Sequence, residues 1–343
     1  MTLSLSRPAA SRRTFLLGAS AGLAAGALGA PFVARAQTST TLRAAHIESP
    51  ESATHKGYVA FAERVREATG GSVEVQVFPA GQLGNLRDLY EGLALGSVDI
   101  TSSGPDYTAN IAPVMVTAAL YYSYQSDEHA DRAFEGEFSS RLSDALAAQA
   151  NMRILAWGEL GWRSVFNTRR AIKAPADFKG LKIRVPEAQL HILPMQALGA
   201  APSPIPYAEV YTSMQTGVVD GAEGTPAAVI QQKFNEVSKF YSLTNHLYNP
   251  IHVVISGGAF GKLSKQQQDA VSQAAIEVFR AQRAQSRVDN EAGIKEIAKR
   301  GLPVNDDVDM NAIRKIVEPT WATLTKDLGA NGQALVKLLQ AAA

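Results

Sequence analysis

Short runs in which apolar and polar residues alternate are separated along the chain by stretches with apolar residues at helical spacing. The run "TTLRAAHI" (Thr40 to Ile47) reads as a strand. From Ser52 to Thr69, the residues Tyr58, Phe61, Ala62 and Val65 share one helical face, and Gly70-Gly71 stops the helix. In "SVEVQVFP", Val73, Val75 and Val77 alternate with polar residues until Pro79 ends the strand. A helix is predicted over roughly Asn85 to Leu95, and a short strand in "SVDITSS" (Ser97 to Ser103). Strands alternating with helices imply a mainly parallel sheet in an α/β domain.

The second half repeats part of this pattern. "YEGLALGSVD" (Tyr90 to Asp99) and "YTSMQTGVVD" (Tyr211 to Asp220) share a Tyr, a Gly six residues on and an Asp three further. In each, a helix ends at the glycine and a strand follows, as two similar α/β lobes would produce. In "FKGLKIRVPE" (Phe178 to Glu187), Leu181, Ile183 and Val185 form an apolar strand face opposite Lys182 and Arg184. An arginine there is either part of a solvated face or an anion anchor at the strand's carboxyl end. Ser264 caps a helical stretch with Ala270, Val271, Ala274, Val278 and Phe279 as its apolar stripe. The stretch continues to Gly301, about 50 Å at 1.5 Å per residue. One lobe cannot bury so long a helix, so it is expected to span both. From about Asp309 an amphipathic helical tail carries Ile313, Ile316, Trp321 and Leu324.

Composition adds limits. The chain has 343 residues, 46% of them hydrophobic, which is enough for two domains. A net charge of +1, with no basic cluster denser than Arg169-Arg170, argues against a nucleic-acid partner. With no cysteine there is no disulfide, no thiol catalysis and no cysteine metal site. The six histidines are scattered, none four residues from another, so no metal or other cofactor is expected. At the N-terminus "SRRTFLLG" (Ser11 to Gly18) precedes an Ala/Gly-rich run to about Val33, and Ala34-Arg35-Ala36 offers a small-x-small cleavage site. Residues 1–36 resemble a twin-arginine export signal; the mature protein is then expected to be soluble and periplasmic.

"RSVFNTRRAIKAPADFKGLKIRVPE", "YAEVYTSMQTGVVDGAE" and "QQKFNEVSKFYSLTNH" are most specific for a family. Together with the "FPAGQLG" turn, they resemble the solute-binding proteins of tripartite ATP-independent periplasmic (TRAP) transporters, of the dicarboxylate (DctP-like) type. The resemblance implies an α/β, type II-like periplasmic binding fold, with two α/β lobes, a hinge and a long spanning helix. Lobe I is expected at 37–161 with about 250–285, and lobe II at 162–249 with about 286–343. The resemblance also makes Arg184 the residue that grips the ligand carboxylate in a two-pronged salt bridge, which a planar guanidinium suits. Arg163 matches a second arginine near the carboxylate or hydroxyls; its alternative is an ion pair within the protein. Tyr207 matches a residue that packs on the ligand body, and Glu223 one that takes ligand hydroxyls or ties down the hinge. Many members carry Asn after that glutamate, whereas here Gly224 and Thr225 follow, so ligand identity does not carry over. Ser102, Ser103, Tyr107, His46 and Glu48, after strand ends of the first lobe, complete the expected pocket.

The function implied is capture of a small organic carboxylate, a sugar acid or hydroxy acid first and an aromatic or 2-oxo acid next. The bound acid is delivered to a TRAP membrane permease by what is expected to be a monomer. An exported hydrolase is the rival class, but no Gly-x-Ser-x-Gly elbow is present and no catalytic residue is expected. A binding protein for a sensor or an ATP-driven importer is the other alternative.

Overall fold

The computed structural model describes residues 39–343, so the expected export signal lies outside the described residues. Nine strands form one sheet. They are β1 (Thr40–Ala45), β2 (Val73–Phe78), β3 (Ile100–Ser103), β4 (Met152–Asn167), β5 (Lys182–Val185), β6 (Ala201–Pro204), β7 (Gly221–Gly224), β8 (Phe240–Ser256) and β9 (Val304–Asn305). Their order is β2-β1-β3-β8-β4-β7-β5-β6, with β9 beside β8.

The axis of the sheet is an antiparallel ribbon of β4 and β8, paired from Met152 opposite Ser256 to Asn167 opposite Phe240. At one end β3 pairs with β8, Ile100 opposite Ile255 and Ser103 opposite His252. At the other end β7 pairs with β4, Gly221 opposite Asn167 and Gly224 opposite Ser164. Strands β1, β2 and β3 are mutually parallel, as are β5, β6 and β7. Both parallel groups therefore aim their carboxyl ends at the middle of the ribbon, whose pairing is interrupted by three register shifts along its length. Ligands of open α/β sheets sit at such ends.

The two repeated segments fold alike. Gly96 and Gly217 both adopt positive φ, +78° and +74°, where a side chain is strained. Asp99 and Asp220 each accept a backbone N–H of a neighbouring strand, from Arg43 within β1 at 2.8 Å and from Lys182 at the start of β5 at 2.9 Å. The aspartates thus fix strand register at the end of each group that points away from the ribbon's middle.

The long helix runs over Lys265–Lys299, begun by a Ser264–Gln267 capping box. It packs on the helix Ala53–Ala68 beside one strand group and on the helix Pro226–Gln231 beside the other. Between them it is fastened to β4 by hydrogen bonds. Gln282 receives the N–H of Glu159 at 2.9 Å and donates to its carbonyl at 2.7 Å. Ser286 and Asn290 both donate to the Leu160 carbonyl, at 3.1 and 2.7 Å. The tail folds into helices Met310–Val317, Thr320–Thr325 and Gly329–Ala341. Ile313, Val317 and Trp321 join the apolar cluster of Leu181 and Ile183, but Ile316, expected on the buried face, is 38% exposed because Val317 takes the inward position. The last helix sends Leu335 and Leu339 into a different cluster, with Leu89, Phe138, Leu142 and Leu146.

Candidate functional site

A cavity of about 590 Å³ lies where the two sets of strand ends face each other. Its wall includes Glu48 after β1, Ser102 and Ser103 at the end of β3, and Asp106 and Tyr107 in the short helix Pro105–Thr108. The other wall carries Arg184 from β5, Tyr207, Glu223 and Gly224 from β7, and Thr225 at the start of the next helix. The ribbon supplies Arg163 and Asn249.

The pairing of β4 with β7 places Arg163 beside Glu223. The Arg163 Nε donates to Glu223 Oε2, and Nη2 donates to Oε1 at 2.5 Å and to the Glu223 carbonyl at 2.9 Å. Nη1 donates to Asn249 Oδ1 at 2.9 Å. Burial alone would raise the Glu223 carboxyl, but the guanidinium outweighs it and holds that carboxyl well below its usual range. Burial likewise opposes the charge on Arg163, and Glu223 reverses the balance and pushes its pKa up. His246 Nε2 lies 3.4 Å from Glu223 Oε2 without hydrogen-bond alignment. Its Nδ1 is 2.8 Å from the Thr244 hydroxyl, and burial pushes the imidazole toward its neutral form. Arg163 and Glu223 are thus one neutral unit that joins the ribbon to β7.

Arg184 is different. It is only 4% exposed, yet no carboxylate lies within ion-pair distance of it among the described residues. Its Nε donates to the Ile205 carbonyl at 2.7 Å, which fixes the plane of the guanidinium. That group lies 5.9 Å from the centre of the Tyr207 ring. Burial pulls its pKa down to about 10, partly countered by Glu223. Lys182, two residues earlier on the strand, is exposed as expected.

Asp106 was not singled out in the sequence. Its Oδ2 lies 3.3 Å from His191 Nε2, and the other His191 nitrogen is 3.2 Å from the Tyr121 hydroxyl. Burial would raise its carboxyl, but His191 and then Arg163 hold it below its usual range. Glu48 has no such partner: burial pushes it up to about 7, against a smaller pull from Arg163. Thr225 is 4% exposed and its hydroxyl makes no cap bond to the helix it starts. Gly224 contributes bare backbone, and its carbonyl accepts from the Tyr241 hydroxyl at 3.4 Å. Ser103 bonds Tyr90 at 2.7 Å, and Tyr107 stacks on the same Tyr90 ring. The structure corrects His46. It does not line the cavity but stacks on Tyr58 with ring centres 4.9 Å apart and meets His55 at 3.1 Å. It sits just past the end of β1 in the core, where burial lowers its pKa to about 3. Asn249, His191 and His246 were also not anticipated. For Asp106 there was a signal, a strand end followed by Gly-Pro-Asp at a helix start.

Two facing α/β strand groups, a cavity at their carboxyl ends and a long helix fastened across the middle define a periplasmic binding protein fold. The model of the bacterial extracellular solute-binding proteins, family 7 (DctP), matches residues 44–327, and the chain belongs to that family of TRAP-type solute-binding proteins. It is 34% identical over 292 residues to the 2,3-diketo-L-gulonate-binding periplasmic protein YiaO of Escherichia coli (strain K12), covering 85% of this chain and 87% of that one. It also resembles the solved structure of a TRAP periplasmic solute-binding protein from Roseobacter denitrificans with bound β-D-glucuronate. That match has a TM-score of 0.84 and 30% identity, with 88% of this chain and 99% of that one covered. The sugar acid binding protein DctPAm from Advenella mimigardefordensis strain DPN7T, in complex with galactonate, matches with a TM-score of 0.85 and 28% identity, covering 89% and 99%. The expected α/β fold with its long helix is borne out by these structures. No helix among the described residues is long and apolar enough to cross a membrane.

Proposed function

We propose that this solute-binding protein captures a sugar acid or hydroxy acid in the periplasm by its carboxylate and passes it to a TRAP permease. The observation that carries this reading is Arg184, a buried guanidinium to which no carboxylate among the described residues is paired. Burying a charge is costly unless something pairs with it, and a ligand carboxylate supplies two parallel acceptors. Glu48, Asp106 and Thr225 then meet hydroxyls, while Tyr207 covers the carbon chain. The names of the relatives, which span diketogulonate, glucuronate and galactonate, support a polyhydroxy acid. Arg163 acts through Glu223, shaping the site rather than gripping the acid. Lobes I and II, at the boundaries given by the sequence, close on the ligand across the β4–β8 ribbon. The protein acts as a monomer and returns its ligand unchanged, and residues 1–36 direct its export by the twin-arginine route. Mass spectrometry of acid released from the denatured protein, followed by calorimetric titration of that acid, tests the reading. Recovery of a neutral or cationic solute in its place refutes it, and chemical turnover of the bound acid refutes the non-catalytic role.

A further inference from the structure

We propose that Glu48 and Asp106 make the cavity a monoanion filter: it admits an acid with one carboxylate and rejects the same carbon chain with a second one. The inference rests on carboxylate capture by Arg184. Two arginines reach the deep part of the cavity, and the charge of one, Arg163, is consumed by Glu223. Outside that pair the lining acids Glu48, Glu51, Asp106, Glu187 and Asp289 outnumber Arg87 and Arg184. Arg87 is exposed at the mouth, so one buried guanidinium remains for one anionic group.

A dianion held at Arg184 by one end must place its other end among carboxylates. Asp106 stays ionised there, held by His191. Glu48, pushed up to about 7, is half ionised there and mostly charged at pH 8. At the short separations imposed by a cavity of about 590 Å³ inside the protein, this repulsion is screened less than between charges in bulk water. A hydroxymethyl end meets the opposite reception, because a carboxylate is a strong acceptor for a hydroxyl. The same two side chains therefore attract a polyol terminus and repel an acidic one, so selectivity comes from a repulsive element as well as an attractive one.

The test is calorimetric titration at pH 8 with galactonate, with galactarate, which differs only in its second terminal carboxylate, and with the monoamide of galactarate. Galactarate is expected to bind roughly 30-fold or more weakly than galactonate, as like-charge juxtaposition requires. The monoamide keeps the size of the second end without its charge and should stay within about threefold of galactonate. Glu48→Gln and Asp106→Asn should each narrow the galactonate-to-galactarate ratio several-fold. Since Asp106→Asn also disturbs His191, Glu48→Gln decides if the other variant misfolds. Equal binding of both acids, exclusion of the monoamide along with galactarate, or an unchanged ratio in Glu48→Gln overturns the filter while leaving carboxylate capture standing. If none of the three binds and the acid released from the protein is not a sugar acid, the reading of the ligand falls and the filter with it.

Discussion

Two arginines face one cavity, and they differ in what has been done with their charge. On the ribbon, Arg163 is saturated by Glu223 and Asn249. On β5, Arg184 is more deeply buried, yet among the described residues it has one protein acceptor, a backbone carbonyl. The first arrangement is complete within the protein and holds two strands together. The second is incomplete without an anion. Residue type is the same and both side chains are largely buried, so the partner is what separates them: a carboxylate of the protein for Arg163 and, in the reading proposed above, a carboxylate of the ligand for Arg184.

The contrast can be broken from either side. Arg163→Ala leaves the Glu223 carboxylate buried and unpaired, and removing one member of a buried pair costs about 3–5 kcal/mol of stability. A urea titration should show the midpoint fall, and a wild-type midpoint would mean that the pair does not hold the ribbon to β7. Arg184→Ala should do the reverse. It removes an unpaired buried charge, so stability should hold or rise, while binding of the identified acid weakens by about 2–5 kcal/mol. At 1.4 kcal/mol per decade that is roughly 30- to 4,000-fold, and Arg184→Lys should restore only part because it lacks the two-pronged fork. Calorimetry that finds wild-type affinity in Arg184→Ala, with native circular dichroism, would remove the distinction between the two arginines.

Glu48 sharpens the comparison through pH. Its folded-state pKa, about 7, lies above the ordinary 4.5, so between these values the folded protein holds a proton that the unfolded chain has released. That contribution is fully present below about pH 4.5 and is lost as the pH rises through 7. Thermal melts of wild type and Glu48→Gln should therefore diverge across this window, with the wild type falling relative to the variant. Parallel curves would place Glu48 in a more hydrated setting. The smallest effect is expected at Thr225, whose buried hydroxyl makes no cap bond. Thr225→Ala should weaken binding by up to about 1.5 kcal/mol if that hydroxyl bonds the acid. Unchanged titration curves would remove it from the site.

Period-two alternation put Arg184 at a strand's carboxyl end, because Leu181, Ile183 and Val185 fix the register and Pro186 the strand end, but it left a solvated face and an anion anchor both open, and the family resemblance chose between them. The same reasoning could not pair Arg163 with Glu223, which are 60 residues apart and meet only through the β4–β7 register. His46 shows the opposite failure. Its position after a strand suggested the pocket, but the chain leaves β1 at Ala45, and beyond that point no alternation fixes which residue faces where: Glu48 lies in the wall and His46 in the core. Asp106 and Asn249 lie in segments with no periodic pattern to orient them. The repeated Tyr–Gly–Asp spacing, weak as a sequence signal, corresponds to two equivalent backbone clamps at Asp99 and Asp220.

The last helix closes a gap in time as well as in space. His129 Nε2 meets the Leu339 carbonyl at 2.7 Å across 210 residues of chain, and Leu335 and Leu339 complete a cluster otherwise drawn largely from residues far earlier. At about 5–20 residues per second a ribosome needs on the order of 10–40 s to cover that interval. Through most of it Leu142 and Leu146 wait without Leu335 and Leu339, and for the first part β3 waits for β8 at Phe240–Ser256. The nascent protein cannot finish its first half before it is almost whole. Chains that stop short of Gly329 should consequently be recognised by holdases and proteases and fall in abundance, however intact their ligand-facing side chains are.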